Sequence, residues 1–175
     1  MLFRSCAYDA GGDSSRTMTK IALELPTLGD TERLAARVAD RAQPGDFIAL
    51  SGPLGAGKTA FARAFLTAYA QRQGAPPPVD VPSPTFTLVQ TYGFGTAEVA
   101  HFDLYRIRDP EEAAELGLDE AMANGVVLAE WPERLGTRLP RDRLEVAFSL
   151  AASERRTAEL TGHGRWTRLV AGVAR

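Results

Sequence analysis

Apolar and polar positions change rhythm several times along the chain, and each change marks an element. Ile21-Ala-Leu-Glu-Leu25 alternates with the period of a half-buried strand. Leu34 and Val38, with Ala35, Ala39 and Ala42, then share one stripe at helical spacing. That stripe predicts a helix over 31–43, with Asp30 as its N-cap. Gln43-Pro-Gly-Asp46 reads as a turn, and Phe47-Ile-Ala-Leu50 as the continuous apolar run of a buried parallel strand. Phe61, Phe65 and Tyr69 recur every four residues with Leu66 beside them, so 60–73 reads as helix and Gly74 is placed to end it. Five prolines between Pro76 and Pro84 remove backbone donors and favour extended chain, which predicts a semi-rigid loop.

Strand candidates follow at Phe86–Tyr92 and at Ala97–Asp103, joined by a glycine-containing turn. Pro110–Leu116 opens a short acidic helix with proline in its first turn. Val126–Ala129 is another buried run and ends in Glu130. From residue 143 onward the pattern predicts three antiparallel strands, 143–150, 156–161 and 166–171, with turns at Ser153–Arg155 and Gly162–Gly164. Residues 1–17 show neither period and are expected to be a disordered tail, leaving 18–175 as one domain.

Composition narrows the class. The chain has 175 residues, 45% hydrophobic and 24% charged, the balance of a water-soluble globular protein. No run of 18 apolar residues is present, so no membrane-spanning helix is expected. A net charge of −2 supplies no overall basic field for gripping DNA. One cysteine, Cys6, and two histidines, His101 and His163, are too few for an internal disulfide or a structural zinc site. No apolar segment follows the first residues, so no secretory signal is read, and a reducing cytoplasm is the expected location. Arginine occurs eighteen times and lysine twice, as Lys20 and Lys58.

One of those two lysines falls in Gly52-Pro-Leu-Gly55-Ala-Gly57-Lys58-Thr59, which fits G-x-x-x-x-G-K-[ST]. A buried strand precedes it and an amphipathic helix follows, the context that this phosphate-binding loop requires. A chance match in a chain of this composition arises roughly 1 time in 500. Leu54, Gly55, Ala56 and Gly57 would present backbone N–H groups to a phosphate, with the helix N-terminus behind them. Lys58 would reach the β- and γ-phosphates, and the Thr59 hydroxyl would be a hard oxygen ligand for Mg2+. The expected fold is therefore α/β and P-loop NTPase-like. Its central sheet should be mostly parallel with antiparallel C-terminal strands, and helices should cover both faces. Guanine recognition in many GTPases uses an N-K-x-D element; the second lysine is followed by Ile21, so ATP is the expected nucleotide.

A phosphate loop needs a carboxylate at the C-terminal end of a neighbouring strand. Two positions qualify: Glu130 after Val126–Ala129, and Asp103 after Val99-Ala-His-Phe102. The more uniformly apolar strand favours Glu130 for the metal and leaves Asp103 to aim or deprotonate water, although the two roles are exchangeable at this level. Ser83 and Thr85 close the proline-rich loop and could sense a γ-phosphate. His101, lone on a strand, is read as structural before it is read as a base.

In order along the chain, GPLGAGKT, SPTFTLVQTY (83–92), HFDLYR (101–106), ELGLDE (115–120) and LAEWPERL (128–135) together resemble the TsaE family of small bacterial ATPases, formerly called YjeE. The resemblance runs from about Thr27 to Arg156. It implies an ATP-binding and ATP-hydrolysing accessory protein that acts with TsaB and TsaD in making threonylcarbamoyladenosine at position 37 of tRNA. It implies contact with tRNA only through that complex. Carried over by residue, it adds Trp131, Glu133 and Arg156 near the nucleotide, and Thr85 in a switch-like loop. Asp103 becomes the catalytic acid–base residue, and Arg106 a partner-facing group. The family's adenine contact near the first helix could fall on Thr27-Leu-Gly29 or on Thr31. Two other readings remain: a small-molecule kinase with Arg134, Arg138 and Arg141 as its lid, and a non-catalytic nucleotide-dependent assembly factor.

Overall fold

The computed structural model describes residues 19–150 and 156–174. The tail expected over 1–17 and the turn expected at Ser153–Arg155 lie outside them. Seven strands form one sheet: β1 (Thr19–Leu25), β2 (Phe47–Ser51), β3 (Val89–Phe94), β4 (Ala97–Asp103), β5 (Val126–Glu130), β6 (Leu144–Leu150) and β7 (Arg156–Gly162). Their order is β1-β7-β6-β2-β5-β4-β3. The four central strands are parallel, and antiparallel pairs flank them on both sides: β6–β7–β1 at one edge and β4–β3 at the other.

Helices cover both faces, as the two-sided burial of β2 and β5 demands. On one face α1 (Leu28–Ala39), α2 (Lys58–Arg72) and α5 (Trp166–Val173) pack over Ile48, Leu50, Val126 and Leu128. On the other, α3 (Pro110–Glu115), α4 (Leu118–Asn124) and a short 3-10 segment (Pro132–Arg138) cover Phe47, Ala49, Val127 and Ala129. The alternation along each strand assigns Val99, His101 and Asp103 of β4, with Leu128 and Glu130 of β5, to the α2 side. Both acids therefore end adjacent strands on the face where α2 begins, and Asp103 is the register partner of Glu130.

Four boundaries depart from the sequence pattern. Thr27, not Asp30, caps α1: its hydroxyl accepts from the Asp30 N–H at 3.3 Å while the Asp30 carboxylate accepts from the Thr27 N–H at 2.9 Å. Asp30 is thus the third helical residue of a reciprocal capping box, and the helix starts three residues early. At its other end this helix stops at Ala39 rather than 43. The segment 86–88 is a turn, closed by a Leu88 N–H to Pro84 carbonyl bond of 2.6 Å, with Leu88 at φ 63°; β3 begins only at Val89. Finally, 166–171 is not a strand. Both edges of β7 are already taken, by β6 and β1, so a third C-terminal strand would have nothing to pair with. Trp166, Val170 and Val173 are buried at helical spacing instead.

Candidate functional site

The chain leaves β2 at Ser51, loops through 52–57 and enters α2 at Lys58. Two glycines make that path possible. Gly52 sits at φ 129°, and a Cβ there would collide with the Phe148 carbonyl of β6. Gly57 caps α2 at φ 113°, a conformation that side chains rarely adopt. The N-terminus of α2 consequently points along the sheet edge at which β4 and β5 deliver their acids.

A cleft of about 530 Å³ opens at this junction. Its floor carries Lys58, Thr59, Glu130, Asp103, Ser83 and Thr85, and its rim Leu28, Leu54, Tyr105 and Trp131. Lys58 is 4% exposed. Its ammonium donates to the Gly52 and Pro53 carbonyls at 2.8 and 2.9 Å and lies 4.1 Å from the Trp131 ring centroid. Burial pushes the Lys58 pKa below its ordinary value; the charges of Glu130, Asp103 and Glu133 oppose that push. Trp131 itself stands at φ 61°, ψ 49°, a strained conformation for a non-glycine residue, and its ring packs tilted against Tyr105 at 5.1 Å.

The two acids have different partners. Glu130 Oε1 accepts from the Thr59 hydroxyl at 2.9 Å and lies 3.0 Å from His101 Nε2. Asp103 Oδ2 accepts from both Ser83 Oγ (2.7 Å) and Thr85 Oγ1 (2.8 Å), and Oδ1 accepts from the Tyr105 N–H at 3.1 Å. The proline-rich loop thus ends on one carboxylate and α2 begins on the other.

Of the other residues singled out in the sequence, Gly55 and Gly57 line the cleft with Leu54, whose side chain is exposed at the loop tip. Ala56 is fully buried, and its N–H bonds the Pro53 carbonyl at 3.2 Å. Arg156 lines the cleft, and its buried Nε has no partner among the described residues. Glu133 is exposed on the 3-10 segment and does not line the cleft, although its charge reaches Lys58. Arg106 stacks on the exposed Phe86 ring at 4.6 Å, outside the cleft. Arg134, Arg138 and Arg141 do not line it either; Arg138 is engaged with Glu111 on the surface at 2.7–2.9 Å. His101 lies beneath the cleft floor rather than in it. Near the first helix, Thr27 spends its hydroxyl in the capping box, whereas Thr31 is buried and lines the cleft with Leu28. Of the two candidates for a contact near the first helix, Leu28 of Thr27-Leu-Gly29 and Thr31 both line the cleft, whereas Tyr105 was not singled out in the sequence. Tyr105 stands two positions after Asp103, so its place beside that acid was available from spacing alone.

A parallel sheet core, a glycine-shaped loop between β2 and α2, and acids at the ends of the neighbouring strands define a P-loop NTPase-like α/β protein. The family model "Threonylcarbamoyl adenosine biosynthesis protein TsaE" matches residues 25–158, and the chain belongs to that family. Curated relatives named tRNA threonylcarbamoyladenosine biosynthesis protein TsaE include one from Bacillus subtilis, 37% identical over 136 residues, 77% of this chain and 81% of that one. Another, from Rickettsia felis, is 34% identical over 131 residues, 75% and 74% of the two chains. A third, from Mycobacterium tuberculosis, is 37% identical over 131 residues, 70% and 74%. Among solved structures, Bacillus subtilis YdiB superposes with a TM-score of 0.70 at 29% identity, covering 91% of this chain and 97% of that one. Among the described residues, no helix is long and apolar enough to cross a membrane.

Proposed function

We propose that this protein binds and hydrolyses Mg2+–ATP in the 52–59 loop and serves the threonylcarbamoyladenosine modification of tRNA as an accessory ATPase. The observation that carries the reading is the meeting of Lys58, Thr59, Glu130 and Asp103 in one cleft at the N-terminus of α2. The family named for that biosynthesis supplies the pathway.

The donors suit magnesium. The Thr59 hydroxyl and the Glu130 carboxylate are hard oxygens, and magnesium is usually held by one or two such groups together with substrate phosphates. Among the described residues no group of three or more His, Cys, Asp or Glu side chains gathers to form a cage. Thr59 and Glu130 would therefore hold the ion jointly with the nucleotide, where it would neutralise developing phosphate charge. Lys58 would turn from its two carbonyls to the β- and γ-phosphates. Arg156 has a buried nitrogen to spend on the nucleotide, and Leu28, Thr31 and Trp131 offer apolar and hydroxyl surface for the base and sugar.

Asp103 is the candidate for aiming the attacking water, and Thr85 for meeting the γ-phosphate. Asp103 Oδ2 already accepts from Ser83 and Thr85, while Oδ1 accepts only from the Tyr105 N–H. Aiming water through Oδ2 would then require Ser83 and Thr85 to release it, which supports slow hydrolysis by the chain alone. We infer that TsaB and TsaD are the partners that relieve this restraint. The exposed Phe86–Arg106 pair beside the same loop offers them a contact. Contact with tRNA would come only through the complex, in the cytoplasm. The arginines of a kinase lid lie elsewhere, so no observation favours that alternative.

The test is phosphate release from Mg2+–ATP by the purified chain, alone and then with a TsaB–TsaD pair. Slow turnover that rises sharply with the pair is expected. Nucleotide binding with no turnover under either condition would leave a non-catalytic assembly factor in its place.

A further inference from the structure

Glu130 is anchored through one oxygen only. Oε1 takes the Thr59 hydroxyl at 2.9 Å and faces His101 Nε2 at 3.0 Å. No described residue donates to Oε2, and Glu130 lines the cleft. His101 itself is fully buried on β4, register partner of Leu128, and does not line the cleft. It is therefore out of reach of a reacting water.

An ionised carboxylate can only accept hydrogen bonds, so the ring must present Nε2–H to Glu130. In the neutral ring this leaves Nδ1 as a bare acceptor. Nδ1 is buried and has no partner among the described residues. A buried acceptor without a donor is a cost to the fold, and the neighbours Val99, Ala100 and Phe102 show that this part of β4 accommodates apolar side chains. What the imidazole does in return is a single thing: it fixes Oε1.

We propose that His101 is a positioning residue for the cation. Its Nε2–H, with the Thr59 hydroxyl, pins Glu130 Oε1 and so turns Oε2 toward the place where Mg2+ would sit. This rests on the Mg2+–ATP reading of the cleft. Outer partners of metal-binding carboxylates commonly account for about 10–100-fold in metal affinity, and that range is the effect expected here.

The experiment measures ATP affinity by calorimetry in excess chelator, and then Mg2+ affinity by titration of the ATP-loaded protein, for wild type, His101→Leu, His101→Asn and His101→Gln. Only the glutamine can place an N–H near the position of Nε2; the asparagine is polar but ends near Nδ1. The leucine and asparagine variants are expected to lose about tenfold or more in Mg2+ affinity while keeping metal-free ATP affinity, and the glutamine variant to recover most of it. Nitrogen-15 spectra of histidine should show the Nε2–H tautomer for His101, with a shift in Glu130→Gln. If leucine fails to fold, the asparagine–glutamine comparison decides alone. Equal Mg2+ affinity in all variants, or equal loss in asparagine and glutamine, would overturn the positioning role. Wild type that binds ATP without any gain from Mg2+ would instead sink the magnesium reading itself, and this inference with it.

Discussion

Lys58 is one of two lysines among eighteen arginines, and its surroundings give the reason. The ammonium is held by two loop carbonyls on one side and an indole face on the other. A compact point charge fits that slot; a planar fork does not. Lys58→Ala should weaken ATP binding by about 100-fold, since a unit charge about 4 Å from a phosphate oxygen contributes roughly 4 kcal/mol gross at an effective dielectric near 20. Lys58→Arg should fail nearly as badly, and calorimetry that finds its affinity retained would refute the steric account. Glu130→Gln keeps an acceptor for Thr59 and His101 but removes the charge from the cleft. Its Mg2+ affinity should fall by roughly tenfold or more while ATP affinity in chelator stays within about twofold; an unchanged Mg2+ titration would move the metal to Asp103. Trp131 touches Lys58 and lines the cleft, so its fluorescence should change on nucleotide binding. Trp166 is buried in α5, away from the cleft lining, and should stay silent.

At the scale of elements, legibility tracked how tightly chemistry constrains local sequence. The 52–59 loop was readable because φ of 129° and 113° demands glycine at Gly52 and Gly57, and Lys58 follows them at the spacing of a phosphate-binding motif. The ends of β4 and β5 were readable because an apolar run stopping at a charge has few meanings. The segment 166–171 reads as a third C-terminal strand because turn residues at Gly162–Gly164 set it off from the run before it, yet it is helical. The deciding fact was non-local: β1, some 130 residues earlier in sequence, already occupies the edge of β7. The cleft rim was legible only in part: spacing places Tyr105 beside Asp103, whereas nothing in the local pattern brings Leu28 to the same cleft. The start of α1 has a direct consequence for the site. Thr27 and Asp30 cap the turn that carries Leu28 and Thr31 to the cleft. Thr27→Ala should cost about 1 kcal/mol, a fall of about 2–4 °C in melting temperature for a chain of this size, and should weaken ATP binding as well. Thr27→Ser should restore both. A drop in stability with unchanged ATP affinity would separate this turn from the nucleotide.

For the whole molecule, β2 links two distinct tasks. Its C-terminal end leads into the 52–57 loop; its N-terminal end follows Asp46, which is 4% exposed. That carboxylate accepts from the Gln43 N–H at 2.8 Å, from the Trp166 indole N–H at 3.1 Å and from the Arg165 guanidinium. Arg165 also reaches the Arg41 carbonyl at 2.9 Å. The residues entering α5 are thereby tied to the turn between α1 and β2, and α5 covers β7 and β1 on the α2 side. Removing one partner of a buried charged network leaves the others uncompensated and costs about 3–5 kcal/mol. Asp46→Ala should therefore lower the melting temperature by about 6–20 °C and expose Trp166, shifting its emission to the red. Five strand residues at about 3.3 Å each separate Asp46 from the loop; α2 meets this turn only at its far end, where Arg72 donates to the Ala39 and Ala42 carbonyls, and Asp103 and Glu130 make no hydrogen bond to the network. Below the melting transition, the variant should consequently bind ATP with wild-type affinity. Weakened binding in the still-folded variant would show instead that β2 transmits strain from the turn before it to the 52–57 loop, so that α5 tunes the site as well as holding the sheet.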